Sequence, residues 1–129
     1  MKGSSREKRI LVCGSRDWKD RELIKTCMLH HGCSEEDILF HGNCAGADLI
    51  AEDVGMGIGM HIVAFKPNWR HFKLAAGPIR NGLMLSFLPD MVIAFHDDIK
   101  SSKGTKNMVD FARTAGVRVF VYSHKDHQK

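Results

Sequence analysis

No apolar run in the chain approaches the roughly 20 residues that cross a bilayer, so a cytoplasmic protein without a membrane partner is expected. The four cysteines, Cys13, Cys27, Cys33 and Cys44, form no CxxC pair and no zinc-finger set with the histidines. Without a signal-peptide pattern ahead of them, they read as free thiols in a reducing compartment. Two nucleotide fingerprints are missing as well. Gly42 to Gly46 lacks the GxGxxG spacing of dinucleotide-binding turns, and Lys103-Gly104-Thr105 has its lysine before the glycine, unlike a GxxxxGK[ST] phosphate loop. Neither NAD binding nor ATP hydrolysis is therefore indicated, and no cofactor is expected. The formal net charge of +4 is modest, and no extended basic and aromatic stripe accompanies it. Both points argue against single-stranded nucleic acid as a partner.

The 129 residues suffice for one domain with its own core. Five short apolar runs punctuate the chain: Arg9–Cys13, Asp37–His41, His61–Phe65, Met91–Phe95 and Val117–Val121. Continuous runs of Val, Ile, Leu and Phe are the mark of parallel strands buried on both faces. Between them lie helical patterns, with Leu23, Ile24, Cys27 and Met28 on one face, then Ala47, Ile50, Ala51 and Val54, and later Met108, Phe111, Ala112 and Ala115. Gly55 to Gly59 is expected to break the second helix. A helix from Pro78 to about Leu88 is expected after a long loop over Lys66–Gly77, with Pro89 stopping it. The alternation predicts a single doubly wound α/β domain over residues 9–122, with helices on both faces of about five parallel strands. Residues 1–8 and 123–129 read as polar tails.

In such a sheet ligands bind beyond the carboxyl ends of the strands. The loops there read Gly14-Ser15-Arg16-Asp17, Gly42-Asn43-Cys44-Ala45-Gly46-Ala47-Asp48, Asn68 to Arg80, and Ser101-Ser102-Lys103-Gly104-Thr105. Their small residues and hydroxyls would offer backbone N–H groups to phosphate. Arg80 falls in the expected first turn of its helix, where the dipole disfavours a cation unless an anion is bound there. Arg16, and Lys103 with Lys106, repeat that placement. Trp69 could stack on a base or anchor its loop, and Asp48 and Asn81 are suited to sugar hydroxyls. His41 and His96 each close a strand at this edge and could meet ligand or proton transfer. Their separation argues against a metal cluster, and no metal site is expected.

Taken together, Gly14-Ser15-Arg16, His41-Gly42 to Gly46-Ala47-Asp48, Ala76-Gly77-Pro78-Ile79-Arg80-Asn81 with Met84, and Ser102-Lys103-Gly104-Thr105 resemble the SLOG superfamily. That superfamily includes the SMF/DprA and LOG relatives, and the nearest likeness is its small YspA/YpsA-related branch. The resemblance spans about Arg9 to Tyr122. It implies a Rossmann-like fold that binds nucleotides or nucleotide-derived ligands, often as a dimer or larger homo-oligomer. Here the central helix with Met84, Phe87 and Leu88 would serve for pairing or simply belong to the core.

LOG enzymes are phosphoribohydrolases, with an arginine in R-K-x-x-M and a glutamate in P-G-G-x-G-T-x-x-E. Arg80-Asn81-Gly82-Leu83-Met84 matches the first segment at the arginine and methionine, and Gly104-Thr105 matches part of the second. Met108 stands at the glutamate position, and a thioether cannot stabilise the cationic sugar that forms when an N-glycosidic bond breaks. The first expectation is thus a sensor or sequestering module. Its ligand-binding residues are Gly14, Ser15, Arg16, Gly42, Asn43, Gly46, Asp48, Trp69, Arg80, Asn81, Ser102, Lys103, Gly104 and Thr105. The alternative is a phosphoribohydrolase using Arg80 and a substitute carboxylate, with Asp98, Asp97, Asp48 and Asp110 as the candidates. Single-stranded DNA binding is a minor third.

Overall fold

Hydrogen bonding orders the strands β3-β2-β1-β4-β5, and every neighbouring pair is parallel. The computed structural model describes residues 7–127, and the outer parts of both expected tails lie outside the described residues. The strands are β1 (Arg9–Gly14), β2 (Ile38–His41), β3 (His61–Ala64), β4 (Met91–Phe95) and β5 (Arg118–Tyr122). The principal helices are α1 (Arg21–His30), α2 (Ala47–Ile58), α4 (Ala76–Ser86) and α5 (Gly104–Thr114), with two single turns, α3 (Trp69–Phe72) and α6 (His124–His127). The fold is the expected doubly wound α/β sandwich.

Two cores follow from the pleat. Side chains of Ile10 and Val12 pack with α1 and α2 residues such as Ile24, Met28, Ala51 and Val54. Leu11, Cys13, Val92 and Ala94 face the opposite way, onto Met84, Met108, Val109 and Ala112 of α4 and α5. Successive residues of a strand point to opposite faces, so a continuous apolar run is what a doubly covered sheet requires. β4 is buried at all five positions. β3 departs from the expectation of double burial: it is an edge strand, with Ile62 packed on the α2 side and Val63 left 40 % exposed.

Three helical boundaries differ from the sequence reading. α2 runs through Gly55 and Gly57 and stops at Gly59, whose left-handed φ of 94° closes it. A side chain on Gly55 would meet Ile62 Cδ1 and Leu39 Cδ2 at 3.0 Å, so tight packing on the sheet outweighs glycine's low helix propensity. The expected long loop before the central helix contains α3 and a 3-10 turn at Lys73–Ala75. α4 itself starts at Ala76, leaving Pro78 in its first turn, where no N–H is needed. At the other end of the chain, the expected polar tail contributes α6. Its His124 stacks on Trp18 (ring centroids 4.1 Å apart) and bonds Asp97 Oδ2 through Nδ1 at 2.7 Å.

Candidate functional site

The chain leaves β1 toward β2 on one side and later returns to place β4 on the other, so the order of connection reverses between β1 and β4. Loops part at such a point and leave a crevice beyond the strand ends. A cavity of about 510 Å³ lies there. The β1 loop lines it with Gly14, Ser15, Arg16 and Asp17, the β2 loop with Cys44 and Asp48, and the β4 loop with His96, Ser102 and Lys103. Trp69, Arg80, Asn81 and Met84 close one side, and Gly104, Thr105, Asn107 and Met108 another.

Close backbone packing brings the first two loops together. Gly46 has a φ of 80°, and a Cβ there would stand 2.5 Å from the Arg16 carbonyl oxygen. The Ala47 N–H donates to the Ser15 carbonyl at 3.0 Å across the same junction. Gly42, Asn43 and Gly46 thus shape the site from behind rather than line it. Asp48, only 4 % exposed, holds the β2 loop: its Oδ2 accepts from the N–H groups of Gly42 at 2.9 Å and Cys44 at 3.3 Å. Burial pushes its carboxyl up to about 6, against the opposing pull of those N–H groups, His41 and Arg80.

Arg80 is the fifth residue of α4, beyond the first turn, and is 9 % exposed. What holds it is therefore not the helix start. Its Nη1 donates to the Gly42 carbonyl and its Nε to Asn81 Oδ1 at 2.8 Å. A side chain on Gly42 would lie 2.6 Å from Arg80 Cζ, so the guanidinium occupies the space that glycine leaves open. Asn81 is fixed in turn, its Nδ2 donating to Asn107 Oδ1 at 2.9 Å and toward the Gly104 carbonyl at 3.4 Å. Asn81 is thus a positioning group for Arg80. Among the described residues Nη2 has no hydrogen-bond partner, and no buried side-chain nitrogen or oxygen lacks one. Solvent therefore reaches Nη2, and the cavity is the opening that Arg80 lines.

The remaining predicted residues fall into two groups. Arg16 and Lys103 stand exposed at the cavity rim, and neither forms an ion pair among the described residues. Trp69 is half-exposed beside Gly77, with its ring 3.4 Å from where a Gly77 side chain would begin. Ser102 caps α5, its hydroxyl accepting from the Thr105 N–H at 3.0 Å. Lys106, by contrast, pairs with Asp110 at 2.7 Å and is not in the wall. His41 is fully buried away from the cavity. Its Nδ1 accepts from the Asn43 N–H at 3.0 Å, which leaves Nε2 to donate to Glu52 at 2.8 Å. Asp98 is exposed and does not line the cavity; its backbone N–H donates to His96 Nδ1 at 2.9 Å.

Sequence reasoning missed Asn107 and Cys13 as cavity residues, and read Asp17 only as part of the β1 loop. Met108 is buried and lines the cavity, as its place in the α5 pattern permits. Cys13, also buried, has its thiol pushed up by burial first and by Asp48 second, so it presents no ready thiolate. The described cysteines are all free. Among the described residues no helix is long and apolar enough to cross a membrane, and no group of three or more His, Cys, Asp or Glu is placed to hold a metal ion.

The gene 61 protein of Mycobacterium phage D29 is 29 % identical over 125 residues, spanning 92 % of this chain and 98 % of that one. In three dimensions the chain is similar to DNA processing protein A (DprA) from Streptococcus pneumoniae, solved by X-ray methods, with a TM-score of 0.72 at 16 % identity. The likeness covers 89 % of this chain and 50 % of that protein, and at this identity it speaks for the fold. Residues 8–72, half of the sequence, match a family description that includes the β1 and β2 loops of the cavity. The chain belongs to the YspA, cpYpsA-related SLOG family.

Proposed function

We propose that the cavity binds a nucleotide or nucleotide-derived, phosphoribosyl-bearing ligand, and that the protein acts as its sensor or sequestering module. The observation that carries this reading is Arg80, a buried cation pinned on one edge with Nη2 left for the cavity. A buried guanidinium with an open edge is best compensated by an anion that accepts from it, and phosphate does so strongly. Arg16 and Lys103, at the rim and without an ion pair among the described residues, add to the attraction. The half-exposed Trp69 offers a face for a base.

The test is mass spectrometry of small molecules released by heat from the purified protein, followed by incubation of the native protein with the compound found. An intact nucleotide that survives incubation is the expected result. Release of free base and sugar phosphate would replace this reading with a phosphoribohydrolase. One observation favours that second reading: Asp48 lines the same cavity as Arg80. Asp97 and Asp110 are engaged with His124 and Lys106, and Asp98 lies outside the wall, so a substitute carboxylate would be Asp48 rather than these. A ligand without phosphate would sink both.

Homo-oligomerisation belongs to the same proposal. Met84 is buried in the core and is unavailable for pairing, whereas Ile79, Leu83 and Phe87 follow the outer side of α4 with 46 %, 51 % and 49 % exposure. Ile79 and Leu83, four apart, make one helical stripe on α4, and the exposed Phe87 and Leu88 lie just past its end at Ser86. Leu83→Glu, which alters little inside the subunit, is expected to shift the protein to a smaller species in size-exclusion chromatography with light scattering. An unchanged mass for an oligomeric parent would remove α4 from the interface.

A further inference from the structure

We infer that the cavity selects a ribose over a deoxyribose, through a hydroxyl that donates to Asp48 Oδ1. This rests on the phosphate-binding reading above and specifies the sugar. The inference starts from an asymmetry in one carboxylate. Oδ2 of Asp48 is fully used by the Gly42 and Cys44 N–H groups, while Oδ1 has no hydrogen-bond partner among the described residues. Since no buried side-chain oxygen there is without a partner, Oδ1 is reached by solvent, although the residue is only 4 % exposed. Asp48 lines the cavity, so that opening is where Oδ1 meets a ligand.

The chemistry of the partner follows from what Oδ1 can accept. Near neutral pH the group is ionised, because burial raises it only to about 6. A carboxylate oxygen repels phosphate and needs a donor. The same wall holds Arg80, the cation assigned to phosphate, which also acts on Asp48 electrostatically. A ligand matched to this pair carries a hydroxyl close to a phosphate, and a ribonucleotide has that arrangement on its sugar. A deoxy sugar would desolvate Oδ1 and return nothing. Discrimination between a site built for a hydroxyl and an analogue lacking it is correspondingly large.

The experiment measures binding of the four common ribonucleoside 5′-monophosphates, their 2′-deoxy and 3′-deoxy counterparts, and inorganic phosphate by titration calorimetry. At least one ribonucleotide is expected to bind about 10- to 100-fold more tightly than one of its deoxy counterparts, the range for a hydrogen bond to a charged group. In Asp48→Asn the side-chain oxygen can still serve Gly42 and Cys44 while an amide replaces Oδ1, and the ratio is expected to fall to about 3-fold or less. Equal binding of ribo and deoxy forms overturns the inference and leaves the phosphate reading standing. A ratio retained in Asp48→Asn overturns the assignment to Asp48. Binding of no nucleotide overturns both the inference and the reading beneath it. Should Asp48→Asn fail to fold by circular dichroism, the ratio in the unaltered protein decides.

Discussion

Arg80→Ala is expected to weaken binding of a phosphate-bearing ligand about 100-fold or more, the largest functional effect we anticipate. Two or more charge-assisted hydrogen bonds disappear with the guanidinium, each worth about 1.5–3 kcal/mol. Because the side chain is buried, the same substitution also strips the Gly42 carbonyl and Asn81 Oδ1 of their donor. A fall in melting temperature should therefore accompany the loss of affinity. Gly42→Ala tests the position of the cation rather than its presence. Its new methyl group would lie 2.6 Å from Arg80 Cζ, so the cation is displaced while the charge remains in the chain. Affinity is expected to fall in both variants, measured by calorimetry with the ligand recovered from the protein. Retained affinity in Arg80→Ala would take the phosphate away from this arginine.

The largest stability effect is expected at the opposite end of the sheet, from Asp37→Ala. Asp37 is 2 % exposed and accepts from the N–H groups of Lys8 at 2.8 Å and Ser34 at 2.9 Å, with the Lys8 ammonium 3.0 Å away. Truncation leaves these donors without their acceptor and should cost about 3 kcal/mol. For a domain of this size that lowers the melting temperature by about 10 °C. Burial alone would raise the carboxyl of Asp37, but the N–H groups of Lys8 and Ser34 and the Lys8 ammonium outweigh it and hold it below its ordinary 3.8. Its contribution is therefore complete above pH 3.8 and is lost as pH falls from there through the folded value. The stability gap between parent and variant should stay level from neutrality to about pH 5 and narrow below about pH 4. A gap that stays constant through that acid range would contradict the assignment.

Much of this fold was legible because a parallel sheet covered on both faces writes itself as uninterrupted apolar runs. Met91–Phe95 coincides with β4, and the other strands lie within about a residue of the expected limits. Local sequence failed where tertiary packing decided. Gly55 is an unfavourable helical residue until Leu39 and Ile62 come close, and α3 is too short for a periodic pattern. The site divides in the same way. Glycine-rich loops at strand ends announced its location, yet His41, Asp48 and Asn81 look alike as polar residues near those ends. Only their partners distinguish a histidine engaged with Asn43 and Glu52 from a carboxylate with one oxygen to spare. Asn107 gave no signal at all, since its role arises from the meeting of α4 and α5.

The strand order also governs how the protein emerges during synthesis. β1 is made before the other four strands and ends in the middle of the sheet, but half of its ladder waits for β4. The contact between Arg9 and Asp90 spans 81 residues of chain. The segments through β3 can gather early on the Ile10 and Val12 side, while Leu11 and Cys13 remain bare until α4 and α5 arrive. Until β4 is made, an elongating chain thus carries an unpaired apolar edge on β1, a surface suited to holdase chaperones and to neighbouring nascent chains. Yield in cells should accordingly depend on the pace of translation through residues 15–90 as much as on the stability of the finished protein.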